Sequence, residues 1–265
     1  MTTRAPIRVE REGALAVITL DRPDVLNAFD ETLTSALSAA IADTGSDDSV
    51  RAVVITGAGR AFSAGQDLRD RAMQIDAGAE LHLGDELRRR YHPLIAALRE
   101  MRKPVVAAVN GVVAGAGLGI AVACDVRVAS ASASFRAAWT RVGLVPDAGS
   151  AYFLPRIVGW GRATDMVLTG DPVSADEALR IGLVTRVWPD AEFADGWRKY
   201  AQALAEGATV AYALSKEGLS AAWDRDFAAF LELESSLQDR AGRTRDYAEG
   251  VRAFRAKTAA KFEGR

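Results

Sequence analysis

Val105–Asp125 reads V-V-A-A-V-N-G-V-V-A-G-A-G-L-G-I-A-V-A-C-D. The order of residue types in this stretch sets the fold. Its uncharged opening run, Val105–Val109, predicts a strand buried on both faces. Asn110-Gly111 interrupts the run, and Ala114-Gly115-Ala116-Gly117 follows as four small residues. Leu118–Cys124 then reads as the start of a buried helix. Strand, glycine-rich turn and helix start together present main-chain N–H groups. The first N–H groups of a helix have no partner inside it, and the helix dipole favours negative charge there. Small side chains also let a ligand approach that main chain closely. The stretch can therefore hold an anion, or an oxygen that becomes one. Close helix–strand packing uses the same small residues, so the ligand must be read from the rest of the chain.

The 265 residues, 49% hydrophobic and 26% charged, can bury a substantial core. The net charge of −2 comes from interspersed acidic and basic residues, and no basic, aromatic-laced face points to nucleic acid. One cysteine, Cys124, excludes an internal disulfide framework and suits a reducing, cytoplasmic setting. Its apolar neighbours mark it as a core residue rather than a nucleophile. The N-terminal M-T-T-R-A-P-I-R-V-E lacks an apolar run, so neither a signal peptide nor a membrane anchor is expected. Two histidines and no Cys/His cluster leave no metal site to expect.

Outward from the opening stretch, Ile7–Glu10 and Ala14–Leu20 read as a hairpin. Asp30–Asp43 reads as a helix capped by Asp30 and stopped near Gly45. Arg51–Thr56 is a buried strand, followed by Arg60–Asp70, a small-residue loop entering a helix. Ala77–Gly84 is weakly specified. Asp85–Met101 is an amphipathic helix interrupted near His92-Pro93. After Val126–Ala129, a strand, Ser134–Gly149 reads as strand and loop. Arg162–Thr169 and Ser174–Ile181 are helical, the second opened by a Ser-Ala-Asp-Glu capping box. Leu183–Trp188 is a strand, and the chain from Asp190 onward is helical almost throughout. The pattern is α/β with a helical C-terminal region and no internal sequence repeat.

The stretch lacks G-x-x-x-x-G-K-S/T and does not match G-x-G-x-x-G, so it reads as neither a P-loop nor a dinucleotide site. Ala61-Phe62-Ser63-Ala64-Gly65-Gln66-Asp67 is a second small-residue loop after a buried strand. Two such turns facing one crevice supply two N–H donors to one carbonyl oxygen, which suits enolate chemistry on a thioester.

Several motifs in one order then resemble the crotonase (enoyl-CoA hydratase/isomerase) superfamily over about residues 5 to 263. They are L-D-R-P-x-x-x-N-A (Leu20–Ala28), T-G-A-G-R-A-F-S-A-G-Q-D-L (Thr56–Leu68) and K-P-V-V-A-A-V-N-G (Lys103–Gly111). A-C-D-V-R-V-A (Ala123–Ala129), G-L-V-P-D-A-G (Gly143–Gly149) and E-G-V-R-A-F-R-A-K (Glu249–Lys257) complete the set. The resemblance implies a spiral of repeated ββα units over residues 1–190, forming an acyl-CoA-binding core. It implies a helical trimerisation region over 191–265, giving a homotrimer or a dimer of trimers. Coenzyme A would enter only as part of the substrate, with no permanently bound cofactor. The resemblance also assigns the oxyanion donors to the N–H groups of Ala64 and Ala116. It lays the coenzyme along Asn27, Ala28, Ala61, Phe62, Ser63, Gly65, Gln66, Asp67, Leu68 and Gly115. Phe254 and Lys257 of a neighbouring subunit would close that path.

Hydration across a double bond needs two proton-handling groups and a water. The two positions at which hydratases of this family carry glutamates correspond here to Gly119 and Trp139. The remaining candidate is Asp147. As a helix N-cap it would be structural. As a lone carboxylate it would move a proton between two carbons and shift a C=C bond. The G-L-V-P-D-A-G loop and the C-terminal A-G-R-T-R-D-Y-A-E-G-V are similar to the epoxide/oxepin-CoA isomerases of phenylacetate degradation. Trp139, Asp147 and His92 also match positions in 4-chlorobenzoyl-CoA dehalogenases, where the aspartate is a nucleophile. Trp139 is equally a pocket wall, and His92 equally a histidine at a helix interruption. Isomerase chemistry is the expected reading, with hydratase, dehalogenase-like or hydrolytic chemistry, or a lapsed CoA-binding homologue, as the alternatives. Arg88-Arg89-Arg90 is expected to be a solvated helix face.

Overall fold

The computed structural model describes residues 5–265, the side chain of Asp70 excepted. The N-terminal reading and the start of the expected 1–190 core rest in part on residues 1–4, which lie outside the described residues. Strand β1 (Ile7–Glu12) pairs antiparallel with β2 (Leu15–Leu20). Helix α1 (Glu31–Ser46) follows, its N-cap Asp30 accepting from the Leu33 N–H at 2.8 Å. That cap contributes about 1 kcal/mol. Gly45 does not stop α1, which runs on to Ser46 before extended Asp47 ends it.

Next come β3 (Ala52–Gly57), β4 (Ala61–Ser63) and α2 (Leu68–Asp76). The weakly specified stretch leads into α3 (Leu83–Glu86), a π turn (Leu87–Tyr91) and α4 (His92–Glu100). The expected interruption is real but lies before Pro93. Proline occupies the first turn of α4, where its missing N–H needs no acceptor. The opening stretch forms β5 (Val105–Val109), β6 (Val112–Ala114) and α5 (Ala116–Ala123). The short β6 was hidden because its three residues merge with the turn.

Then follow β7 (Val126–Ser130), β8 (Ser134–Arg136), a 3-10 turn (Trp139–Val142) and α6 (Ser150–Val158). Pro155 masked α6 in the sequence. Helix α7 (Trp160–Thr169), β9 (Pro172–Ser174), α8 (Ala175–Arg180) and β10 (Arg186–Trp188) complete the α/β part. Ser174 caps α8, accepting from the Glu177 N–H at 3.3 Å. The last expected strand is shorter than its apolar run, since Leu183 and Val184 are buried in the turn before it. Four helices end the chain: α9 (Asp190–Ala205), α10 (Thr209–Ala221), α11 (Phe227–Gly242) and α12 (Arg245–Ala256).

One sheet has the order β1-β2-β3-β5-β7-β10 and a smaller one β4-β6-β8-β9. Apart from the antiparallel pairs β1–β2 and β8–β9, neighbouring strands are parallel. Successive ββα units therefore put their first strand in the large sheet, their second in the small one, and then turn into a helix. This is the expected spiral. Strands β2 and β5 are buried along their whole length, as strands covered on both faces must be. Alternate residues feed two cores. Ile18, Ile55 and Ala107 face α1, α4 and α5, whereas Val17, Val54 and Val106 face Phe193, Trp197 and Ala201 of α9. Helix α9 thus closes the sheet, although it follows the expected boundary at 190.

Helix α10 is tied in by a polar knot around Lys216, besides the bonds of Arg51 to Thr209 and Arg99 to Ser220. The Lys216 ammonium donates to the carbonyls of Met101 and Lys103 and pairs with Asp125 at 2.7 Å. Asp125 also accepts from the Val105 N–H at 2.8 Å and lies 3.7 Å from Arg99. Burial pulls the Lys216 pKa down, and Asp125 opposes that. Removing the carboxylate in Asp125→Ala leaves the ammonium largely buried and unpaired, at a cost of about 3 kcal/mol. The expected result is a matching fall in the urea midpoint with an unchanged slope.

Candidate active site

The two small-residue turns meet. A Cβ on Gly65 would lie 2.8 Å from the Ala114 carbonyl oxygen and 3.4 Å from the Ala116 nitrogen. One on Gly115 would lie 3.8 Å from Gly65 Cα. Both residues have positive φ, 92° and 49°, so glycine is required by conformation as well as by space.

Which N–H groups face the crevice follows from the hydrogen bonds around it. The Ala64 N–H donates to Leu26 O at 2.9 Å, and the Gly65 N–H to Ser63 Oγ at 3.1 Å. The loop then runs beside Phe29 as a parallel bridge. Phe29 N–H donates to Gly65 O at 2.7 Å, and Asp67 N–H to Phe29 O at 2.9 Å. These bonds use the groups flanking Gln66, so the Gln66 N–H points away from Phe29 and has no acceptor among the described residues. The assignment to Ala64 is therefore corrected: its N–H is engaged in the loop, and Gln66 carries the open donor. Across the gap, Gly115 N–H donates to Arg136 O at 3.2 Å. Ala116 is the first residue of α5, and its first-turn N–H has no acceptor among the described residues.

Most side chains along the expected coenzyme path hold the loop itself. Asn27 is buried at φ 54° and donates to the carbonyls of Ala58 and Ala61 while accepting from the Arg22 N–H. Ser63 Oγ donates to Asn27 O at 2.8 Å. Phe62 lies in the core, with Ala61 and Ala28 buried beside it. Asp67 caps α2 and pairs with Arg69 and Arg22. The Arg69 hydrogen bond is the largest influence holding its pKa down, at about 2. What these residues offer a ligand is main chain. Leu68 is exposed at the start of α2.

Asp147 does not cap α6. The N-cap position is Gly149, and Asp147 gives only its main-chain oxygen to the Ser150 N–H at 2.9 Å. Its carboxylate instead accepts from Trp139 Nε1 at 2.8 Å. Trp139 is 4% exposed at the start of the 3-10 turn. Burial, the largest cause, raises the Asp147 pKa; the Trp139 hydrogen bond and the nearby His92 oppose this, while Glu86 adds to it. His92 is exposed at the start of α4, within electrostatic reach of the carboxylate. Gly119 is buried one helical turn beyond Ala116.

Two neighbours escaped the sequence reading. The Tyr91 hydroxyl donates to Gln66 Oε1, and burial raises its pKa. Glu86 pairs with Arg71 and with Arg90. Arg90 is therefore turned inward rather than solvated, because the π turn rotates it toward α1, where it donates to Thr34 Oγ1 at 3.0 Å. Arg88 does lie on the surface, paired with Asp85. Burial pushes the Cys124 thiol up to about 12, as suits a core residue. Phe254 is 85% exposed and Lys257 ends α12 with φ 55°. Among the described residues no group of His, Cys, Asp and Glu is arranged to hold a metal, and no helix is long and apolar enough to cross a membrane.

A family model described as enoyl-CoA hydratase/isomerase matches residues 10–265. A Rhodobacter capsulatus protein named as a probable enoyl-CoA hydratase is 44% identical over 98% of both chains. The 1,2-epoxyphenylacetyl-CoA isomerase of Escherichia coli is 39% identical over 96% of this chain and 97% of its own. A 4-chlorobenzoyl coenzyme A dehalogenase-2 from Arthrobacter is 38% identical over 79% of this chain and 76% of its own. The crystal structure of an enoyl-CoA hydratase from Bacillus anthracis superposes with a TM-score of 0.89 at 30% identity, covering 98% of this chain and all of that one.

The half-buried Asp147 carboxylate has a stability signature. Its folded pKa is raised above the ordinary 3.8. Its favourable contribution is therefore complete below pH 4 or so and is lost as pH rises through the folded value. Asp147→Asn removes the buried charge and can keep the Trp139 hydrogen bond. This variant is expected to melt above the wild type at pH 7 and level with it near pH 4, as read by calorimetry.

Proposed function

This chain belongs to the enoyl-CoA hydratase/isomerase family, and on that premise we propose that it shifts a C=C bond within an acyl-CoA, with Asp147 as the proton carrier. The thioester oxygen would accept from the N–H groups of Gln66 and Ala116, which stabilise the charge that develops as a C2 proton leaves. One observation carries the reading: a half-buried carboxylate, Asp147, is held by Trp139 Nε1 at 2.8 Å, while positions 119 and 139 carry glycine and tryptophan. A base whose pKa is raised by burial takes a carbon-bound proton better and returns it as an acid. Hydration would require a second proton-handling group, for which Gly119 and Trp139 supply no carboxylate. The acyl group of an epoxyphenylacetate-type or simple 3-enoyl substrate suits this one-base chemistry. A cytoplasmic homotrimer or dimer of trimers, bringing Phe254 and Lys257 of one subunit to the coenzyme on the next, belongs to the same proposal.

A second reading has its own support. Trp139 donates to Asp147, and His92 lies within electrostatic reach of that carboxylate, which supports this reading. In nucleophilic chemistry, Asp147 would form an ester that water must hydrolyse.

Purified protein given a 3-enoyl-CoA or an oxepin-CoA is expected to yield the 2-enoyl isomer. Asp147→Asn should slow this at least ~100-fold. Wild-type rates in that variant would sink the assignment. Rapid hydration of crotonyl-CoA would restore a hydratase reading, and a trapped adduct on Asp147 the nucleophilic one.

A further inference from the structure

The Gln66 N–H belongs to the peptide that joins this residue to Gly65. In a trans peptide the C=O and the N–H lie in one plane and point to opposite sides. Phe29 N–H holds Gly65 O at 2.7 Å, so the Gln66 N–H is aimed away from Phe29. Gly65, at φ 92°, is a pivot with no Cβ to resist rotation of this peptide. The direction of the donor therefore depends on what holds Phe29 and Gln66 in place. Tyr91 touches both. It is 2% exposed and packs edge-on against Phe29, with ring centroids 6.4 Å apart and planes at 72°. Its hydroxyl donates to Gln66 Oε1.

Tyr91 is itself held from behind. It closes the π turn Leu87–Tyr91, a rare geometry that recurs at functional sites. Arg90, in the same turn, donates to Thr34 Oγ1 of α1 at 3.0 Å. Its guanidinium carbon lies 5.7 Å from the Tyr91 ring centroid, and it pairs with Glu86. The extra residue of the π turn thus faces Tyr91 toward the loop and anchors it on α1.

Resting on the reading that the thioester oxygen accepts from Gln66 and Ala116, we propose that Tyr91 is a positioning residue for the oxyanion donor. It clamps the Gly65–Gln66 peptide at both ends, through Phe29 at the carbonyl and through the Gln66 side chain at the nitrogen. No bond is made or broken at Tyr91. Its effect is largest when the oxygen carries most charge, because an aimed N–H counts most there.

Tyr91→Phe keeps the ring on Phe29 and deletes the hydroxyl alone. Gln66→Ala keeps the main-chain N–H and deletes the side chain that the hydroxyl holds. Hexanoyl-CoA labelled with carbon-13 at the carbonyl has no C=C bond to shift, and infrared difference spectra report its polarisation when bound. Its carbonyl stretch is expected to fall on binding to wild type. In Tyr91→Phe and in Gln66→Ala it should return at least halfway to the free value, and in the double variant no further. With a 3-enoyl-CoA, each single change is expected to lower kcat about 10-fold at nearly constant KM, part of the ~100-fold or more that losing an oxyanion donor costs. A stability effect alone leaves the stretch of ligand bound to folded protein at the wild-type position. A wild-type stretch in Tyr91→Phe overturns the clamp and leaves the oxyanion reading standing. Additive shifts in the double variant also overturn the clamp. If Tyr91→Phe does not fold, Gln66→Ala decides, and an unchanged stretch there overturns the clamp. No shift on binding to wild type overturns the oxyanion reading and the clamp with it.

Discussion

The close approach of Gly65 to the Ala114–Ala116 main chain is the constraint on which the rest of the site depends. Two strand-to-helix turns from consecutive ββα units must touch for their N–H groups to converge on one oxygen. With a Cβ at 65 only 2.8 Å from Ala114 O, any side chain would drive the turns apart. The surrounding hydrogen bonds maintain this contact. Asn110 Oδ1 accepts from Gly57 N–H at 3.0 Å, while its amide donates to Gly59 O at 2.9 Å. One asparagine from the second unit thereby fixes the corner of the first. The parallel sheet sets the spacing, since β3 and β5 pair in register from Val53–Val105 to Thr56–Ala108.

Polarising a carbonyl and moving a proton place opposite demands on a protein. The donors are main chain, and the fold supplies them at little cost because helix starts always leave N–H groups open. The carboxylate is another matter. A half-buried Asp147 that accepts a single side-chain hydrogen bond is destabilising when charged. Ala148 beside it occupies left-handed backbone, worth roughly 1–2 kcal/mol of strain. Both costs fall on the same short loop between the 3-10 turn and α6, and the two-sided core around β2, β3 and β5 offsets them. Strain and burial gathered at adjacent residues are what a functional loop on a rigid scaffold is expected to show.

The fold was largely legible because its signals are strong. The apolar strands around β2, β3 and β5, the Asp30 cap and the Ser174 cap have direct physical readings, and the structure places them where the sequence puts them to within a residue or so. The misses have physical reasons too. Three-residue strands such as β6 carry no periodicity. Gly45 is tolerated in α1 because packing of Leu37 and Ile41 outweighs its poor propensity. The π turn at Leu87–Tyr91 shifts the helical phase, so Arg90 points inward and Tyr91 meets Gln66, neither of which a 3.6-residue period could show. The substitution of Gln66 for Ala64 as donor needs the pairing of Leu26–Phe29 with the loop, a contact between segments almost forty residues apart.

These two halves also explain why family was easier to read than reaction. The contact between the two turns is written in glycines and main chain, spread over the long motifs Thr56–Leu68 and Lys103–Gly111. The positions weighed for proton chemistry, 119, 139 and 147, are single residues carried by α5, the 3-10 turn and the loop before α6. Changing any of them leaves the spiral of ββα units and the paired turns intact. One scaffold can therefore carry different residues at these three positions without rebuilding its sheets or its paired turns. The Trp139 Nε1–Asp147 hydrogen bond, at 2.8 Å, ties the 3-10 turn to the loop before α6 and fixes one carboxylate oxygen.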